Sequence, residues 1–246
     1  MFKRLLPVAG VLGLLAVALA SSAAAGGGGG YGGPGLFKFS DTSANANFYD
    51  PVSGNQTSVF VDRGQQSFKV KRTPGAPVVE TTGTVLQLMT FTPSPTGGGP
   101  SGFACWVIPD ADFTVASDLS SASLNAPATD EQPCPGFYVG SAAGGKPGLQ
   151  SVIGYGGGGP GNTLPPTDIS LSWTGTGATW TNDNSGRSHC QNFNATFHST
   201  FDYQFATATG SVGGAAGSDP FAQVGSQTSV NNSNSAPSGA CNPFGF

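Results

Sequence analysis

Charge is what this chain has least of. Asp, Glu, Lys and Arg make up only 9% of its residues, against roughly 25% in a typical soluble protein. The only basic cluster is Lys69, Lys71 and Arg72, too small for an electrostatic footprint on nucleic acid or an anionic membrane. Histidine occurs twice, at His189 and His198, and neither lies in an H-E-x-x-H motif. The four cysteines contain no C-x-x-C pair, so the usual zinc frameworks are absent. No G-x-S-x-G elbow marks an activated serine. The glycine runs at 97–99 and 156–159 are not followed by Gly-Lys-Ser/Thr, so they are connectors and not phosphate loops.

Acidic pairs are equally scarce. Glu80 and Glu131 are the only glutamates. Asp110 and Asp112, or Asp130 and Glu131, offer paired carboxylates for glycoside hydrolysis, and Asp110 and Asp112 also offer a loop calcium site. Turn chemistry after Pro109 explains the first pair more simply, because Asp bonds its own backbone in turns. Neither a metal nor a cofactor is expected, and no catalytic residue is assigned.

No stretch combines 3.6-residue apolar periodicity with caps, so no helix is expected beyond the first residues. One long apolar run exists. Lys3 and Arg4 precede Leu5–Ala20, and small residues follow to Ala23-Ala24-Ala25. Charged, apolar and small regions in that order predict a secretory signal peptide over 1–25. The remainder carries seven basic and thirteen acidic residues, net −6. No later apolar run approaches the ~20 residues of a membrane-spanning helix. A secreted, extracellular protein is therefore expected.

What the chain has in quantity is Gly, Pro, Ser, Thr and Asn between short β-prone runs. That pattern predicts an all-β antiparallel fold, a β-sandwich or jelly-roll-like body. A flexible Gly-rich leader is expected over 26–35 and the body over 36–212. The body divides into two smaller sandwiches if the connector near 140–165 is a boundary. A polar, loosely ordered tail is expected over 213–246, apart from residues 221–224. Short strands are read at 36–40, 44–49, 84–92, 103–108 and 113–116, and a hairpin joins 57–61 to 67–71 around Asp62-Arg63-Gly64. Residues 118–135 read as a loop or weak strands.

The clearest alternation runs over 168–174, where Ile169, Leu171 and Trp173 share one face. In 193–205 the aromatics Phe193, Phe197, Phe201, Tyr203 and Phe205 all fall on odd positions. This predicts one long strand or a hairpin with its aromatic face on the core.

Cys105, Cys134, Cys190 and Cys241 are an even set in an expected oxidising compartment, which argues for two disulfides. Three pairings are possible; nearest-neighbour linkage favours Cys105–Cys134 and Cys190–Cys241, the latter tying the tail to the body. Among aromatics, Trp106 and Trp173 follow the apolar parity of a core. Trp180, among Thr and Asn, and Tyr155, in a Gly-rich loop, are the candidates for an exposed ligand-binding surface.

The segment Ile169-Ser-Leu-Ser-Trp-Thr-Gly-Thr-Gly177, with Arg187 and Ala206-Thr-Ala-Thr-Gly-Ser-Val212 after it, loosely resembles a group of uncharacterised secreted proteins of high-GC Gram-positive bacteria. In that group a strand ends in a Trp-Thr-Gly-Thr-Gly-like turn, followed by a polar loop and an Ala-x-Ala-x-Gly-x-Val strand. The resemblance covers 169–212 only. It implies an exported β-rich protein and brings no activity, cofactor or catalytic residue. The function expected is thus a secreted, non-catalytic structural or interaction role. Its partner is unknown, a polysaccharide or another envelope protein, and a carbohydrate-binding module is the main alternative. A small secreted hydrolase is a weaker third reading.

Overall fold

The computed structural model describes residues 35–70, 79–93, 100–134, 162–190 and 193–233. Among them are eleven strands: β1 (Gly35–Tyr49), β2 (Gln56–Val70), β3 (Val79–Phe91), β4 (Gly102–Ile108), β5 (Phe113–Val115), β6 (Ser121–Ala126), β7 (Gln132–Pro133), β8 (Ile169–Gly175), β9 (Trp180–Cys190), β10 (Phe193–Val212) and β11 (Ala215–Ser233). Every pairing is antiparallel. The only helical elements described are two single 3-10 turns, at Asp110–Asp112 and Ala128–Asp130. None of the described helical segments is long and apolar enough to cross a membrane.

The strands form one sheet in the order β5-β6-β8-β10-β11-β1-β2-β3-β4-β7, with β9 also paired to β10. The expectation of a sandwich or jelly roll is met only in its coarser part, an all-β antiparallel fold; the described strands make one continuous, strongly curled sheet. The curl has a covalent cause. β4 and β5 stand eight strand spacings apart in the order, about 38 Å in a flat sheet. Residues 109–112 join them and can reach at most about 18 Å between flanking Cα atoms. The sheet must therefore bend until its ends approach. Thr84 donates its hydroxyl hydrogen to Asp110 Oδ1 at 2.6 Å, and Arg63 donates to the Asp110 carbonyl at 3.2 Å, holding the connection against β2 and β3.

Bending leaves one face concave, and that face is the apolar core. Trp106, Trp173, Phe113, Leu86, Leu124, Ile169, Leu171, Val59 and Val61 are fully buried there, with Ala44, Ala46, Ala104, Ala206, Ala208 and Ala222 among them. The core reading of Trp106 and Trp173 holds. Beyond this core β1, β2, β3, β10 and β11 run on, and with β9 they make an extended blade.

At the core's margin the β1–β11 ladder ends at the pair Asn45–Gln223, and the part of β11 before Gln223 stands away from β1. The backbone groups freed on β1 find side-chain partners. Trp173 donates its indole N–H to the Asn45 carbonyl at 2.8 Å. Asp219 accepts the Asn47 N–H at 2.7 Å and, through its other oxygen, the Phe221 N–H. Pro220, which has no N–H to give a ladder, sits in this break, where the β10–β11 register shifts.

The disulfide Cys105–Cys134 is formed. Beside it, Asn162 accepts the Cys105 N–H and donates to the Cys105 carbonyl, and Thr163 does the same for Phe103. These contacts close an edge of β4 that would otherwise offer unpaired backbone. Cys190 ends β9; Cys241, Tyr155, the segment 1–25 and most of the leader lie outside the described residues.

Several local expectations are corrected. The stretch Asp62-Arg63-Gly64 is not a hairpin turn but the middle of β2, because β1 and β3 pair with it on both sides. Residues 35–49 form one strand. Residues 215–233, read as part of a loose tail, are β11, inserted between β1 and β10. Its polar residues fit because neighbouring ladders satisfy its backbone and its Gln side chains need not be apolar to be enclosed. Residues 118–135 include β6, with a clean exposed–buried alternation, and β7. Strands from both sides of 140–165 pair within the one sheet, so the described strands do not divide there.

Two stability changes follow. Replacing Cys105 and Cys134 by Ala should lower the unfolding free energy by up to about 3.5 kcal/mol, the loop-closure value for this separation, measured by urea unfolding. Trp173→Phe should cost about 1–3 kcal/mol by leaving a part-buried carbonyl without its donor, read in the same assay.

Candidate functional site

Between β8 and β9 residues 176–179 face only Gln204 and Phe205 of β10. The Gly175-Thr176-Gly177 stretch therefore does not reverse the chain; it makes a jog, and β9 continues in the direction of β8. Gly177 takes a left-handed backbone, φ +88°, which glycine adopts without penalty. Gln204 donates its amide to the Gly177 carbonyl at 2.7 Å, and the Thr176 N–H bonds the Phe205 carbonyl at 2.6 Å. This clasp delivers Trp180 directly opposite Tyr203. Thr181, the next residue, donates its hydroxyl to Asp202 at 2.5 Å.

The result is an aromatic group on one face of β9 and β10. Trp180 is 58% exposed and Phe205 41% exposed. Phe201 and Tyr203 stack with ring centres 5.6 Å apart and planes 25° from parallel, and Phe205 meets Tyr203 edge-on at 6.0 Å. Phe201 lies over Gly225 and Phe197 over Gly186, where the missing Cβ leaves room for a ring. This corrects one expectation: the aromatic face of 193–205 is not the core face. At Ala206 and Ala208 the opposite parity enters the core, so the odd-numbered rings stand on the far side of the sheet.

Register carries this face across the blade in three rows. Asn182, Phe201, Gln227, Asp41, Gly64 and Gly83 make one. Trp180, Tyr203, Gly225, Ser43, Asp62 and Val85 make the next. Phe205, Gln223, Asn45, Phe60, Gln87 and Cys105 make the third. Away from the exposed rings the face is enclosed: Asp41, Ser43, Asp62, Gln223 and Gln227 are all buried. The amide oxygens of Asn45 and Gln223, neighbours in the third row, have no hydrogen-bond partner.

Burial, reinforced by the Asp62 charge and opposed by the Gln227 N–H, pushes the Asp41 carboxyl up to about 8. Near the start of β8, burial pushes Glu131 up to about 7, against the Thr167 N–H bond it accepts at 2.8 Å. Asp112 is raised, first by burial and then by Asp130.

Of the sequence candidates, Trp180 is in this face, and Tyr155 lies outside the described residues. His198 is solvated on the opposite face, 3.5 Å from Asp183. Asp110 is engaged in the turn contacts that hold 109–112. Among the described residues no three His, Cys, Asp or Glu side chains converge to hold a metal ion. The partners of Trp180 were missed in the sequence, although their odd-number parity was visible there. Neither protein-family models nor curated proteins give a match to this sequence.

The acid pair sets a pH dependence. A carboxyl that titrates higher when folded than when unfolded binds more protons in the folded state across that window, so stability falls as pH rises through it. Between the ordinary carboxylate range and about pH 8 the protein should lose stability, and Asp41→Asn should flatten that decline, leaving the smaller share from Glu131. Urea midpoints at pH 5 and pH 8 check this.

Proposed function

We propose that this chain is an exported, non-catalytic binding protein of the cell exterior or envelope, and that it engages polysaccharide through the aromatic face of β9 and β10. Trp180 carries the reading: the residue is 58% exposed, opposite Tyr203 and two strand positions from exposed Phe205. An indole fixed in water by a backbone clasp is an amphipathic contact surface of the kind enriched in binding sites. The apolar faces of sugar rings suit such rings, and sugar hydroxyls suit the exposed Asn182 amide in the neighbouring row. A charge-poor surface suits a neutral ligand.

Export is supported by the charged, apolar and small order of residues 1–25 and by the Cys105–Cys134 disulfide, which persists in oxidising compartments. The sandwich-like reading of the body is supported by the curl, which sets β5, β6 and β8 across one core from β2, β3 and β4. A body of this kind holds the β9–β10 ribbon as a rigid platform.

Depletion of the purified protein by insoluble glycans, cellulose, chitin and isolated cell-wall polysaccharide, tests the proposal. Retention is expected on at least one, and Trp180→Ala should weaken it about tenfold or more, as loss of an aromatic anchor does. The unfolding midpoint of that variant should move little, because the ring is exposed. No retention on any glycan overturns the polysaccharide reading and leaves a protein-interaction or structural role.

A further inference from the structure

β9 is an eleven-residue strand with one ladder. It pairs with β10 from Trp180↔Tyr203 to Cys190↔Phe193 without a register shift, and among the described residues nothing pairs with its other side. Residues 180–185 and Arg187 are exposed on both faces, as expected of a strand at a free margin. Natural edges are commonly blunted by Pro, charged side chains or a bulge; β9 has no Pro and no bulge, and its two charges, Asp183 and Arg187, are of opposite sign. The corresponding edge of β4 in this same protein is closed by Asn162 and Thr163.

The occupant can be chosen from charge. In an antiparallel pairing of β9 with itself about a two-fold axis, position i of one copy opposes a fixed partner position of the other, and faces are preserved. Centring the axis on Ser185 places Asp183 of each copy opposite Arg187 of the other, giving two opposite-charge pairs on one face. Centring it on Asp183 or on Arg187 sets like charges opposite each other, which is destabilising. Asp183 and Arg187 are the only Asp, Glu, Lys or Arg residues in the strand, so they select one register. Asp183 already has His198 at 3.5 Å; Arg187 faces neutral Thr196 across the β10 ladder.

We propose that two copies of this chain associate edge to edge through β9, centred on Ser185, to form one continuous sheet across the dimer. The aromatic faces of the two copies then lie on the same side of that sheet.

Sedimentation velocity and light scattering on the purified protein test this, together with Asp183→Arg, Arg187→Asp and the double exchange. A dimer is expected, weakened at least tenfold by either single change and restored to within about threefold by the double. Circular dichroism confirms that each variant is folded. Ser185→Cys supplies an independent readout: a residue opposite its own copy lies about 4.5–5.5 Å away between Cα atoms, within disulfide range, so mild oxidation should link two chains. A monomer up to about 1 mM, the weak limit of specific association, overturns the proposal. So does a dimer indifferent to both single changes, or one in which Ser185→Cys does not cross-link. The outcome is independent of glycan retention.

Discussion

Four residues, 109–112, decide the shape of this protein. They join two strands that the hydrogen-bond order places at nearly opposite ends of the sheet, and they are too short to do so across a flat one. The consequence is curvature, and curvature dictates composition. On the inside of a tightly bent sheet the strands approach one another's side chains. Ala44, Ala46, Ala104, Ala122, Ala126, Ala206, Ala208 and Ala222 are the small residues that allow it. The two buried indoles, Trp106 and Trp173, then fill the centre. Such interdigitation of small and large side chains is what brings an interior to close packing.

Curvature also creates defects in the ladders, and polar side chains repair them. Where β11 leaves β1, Trp173 and Asp219 take the freed backbone groups. Where β8 gives way to β9, Gln204 takes the carbonyl of the left-handed glycine. Where β4 reaches its margin, Asn162 imitates a strand with both ends of its amide. A buried backbone group without a partner costs as much as a lost hydrogen bond, which explains why a chain so poor in charge is rich in amides and hydroxyls. These side chains serve as portable backbone.

That use of polar residues also governs how much of the structure the sequence made legible. The alternation of 168–174, the core indoles, the exposed Trp180 and the Cys105–Cys134 link are local or nearly local signals, and each was readable. The straight passage of β2 through Asp62-Arg63-Gly64 was not, because turn propensity is a property of the isolated segment, whereas two flanking ladders decide the outcome. β11 was hidden for the same reason: Ser, Gly, Gln and Asn lack β-propensity, yet a strand inserted between two others needs only partners. The aromatic parity of 193–205 was readable, but its side of the sheet was not. A long strand can serve the core with one face near one end while large rings occupy the other face elsewhere, and parity alone does not say which face is turned inward.

Scarcity of charge gives each remaining charge more weight. In an ordinary surface strand several ionic side chains would share the selection of a partner, and any one pair would be worth little. Here Asp183 and Arg187 stand four residues apart on an edge whose other side chains are neutral or aromatic. The spacing puts both on one face, and the midpoint between them falls on a residue, Ser185, as a two-fold pairing of a strand with itself requires. Backbone groups along the edge supply attraction without preference for register; the two charges supply the preference. A single opposed pair repeated by symmetry is enough to separate one alignment from its neighbours, because the nearest competing symmetric arrangements either oppose like charges or set each charge against a neutral or titratable side chain.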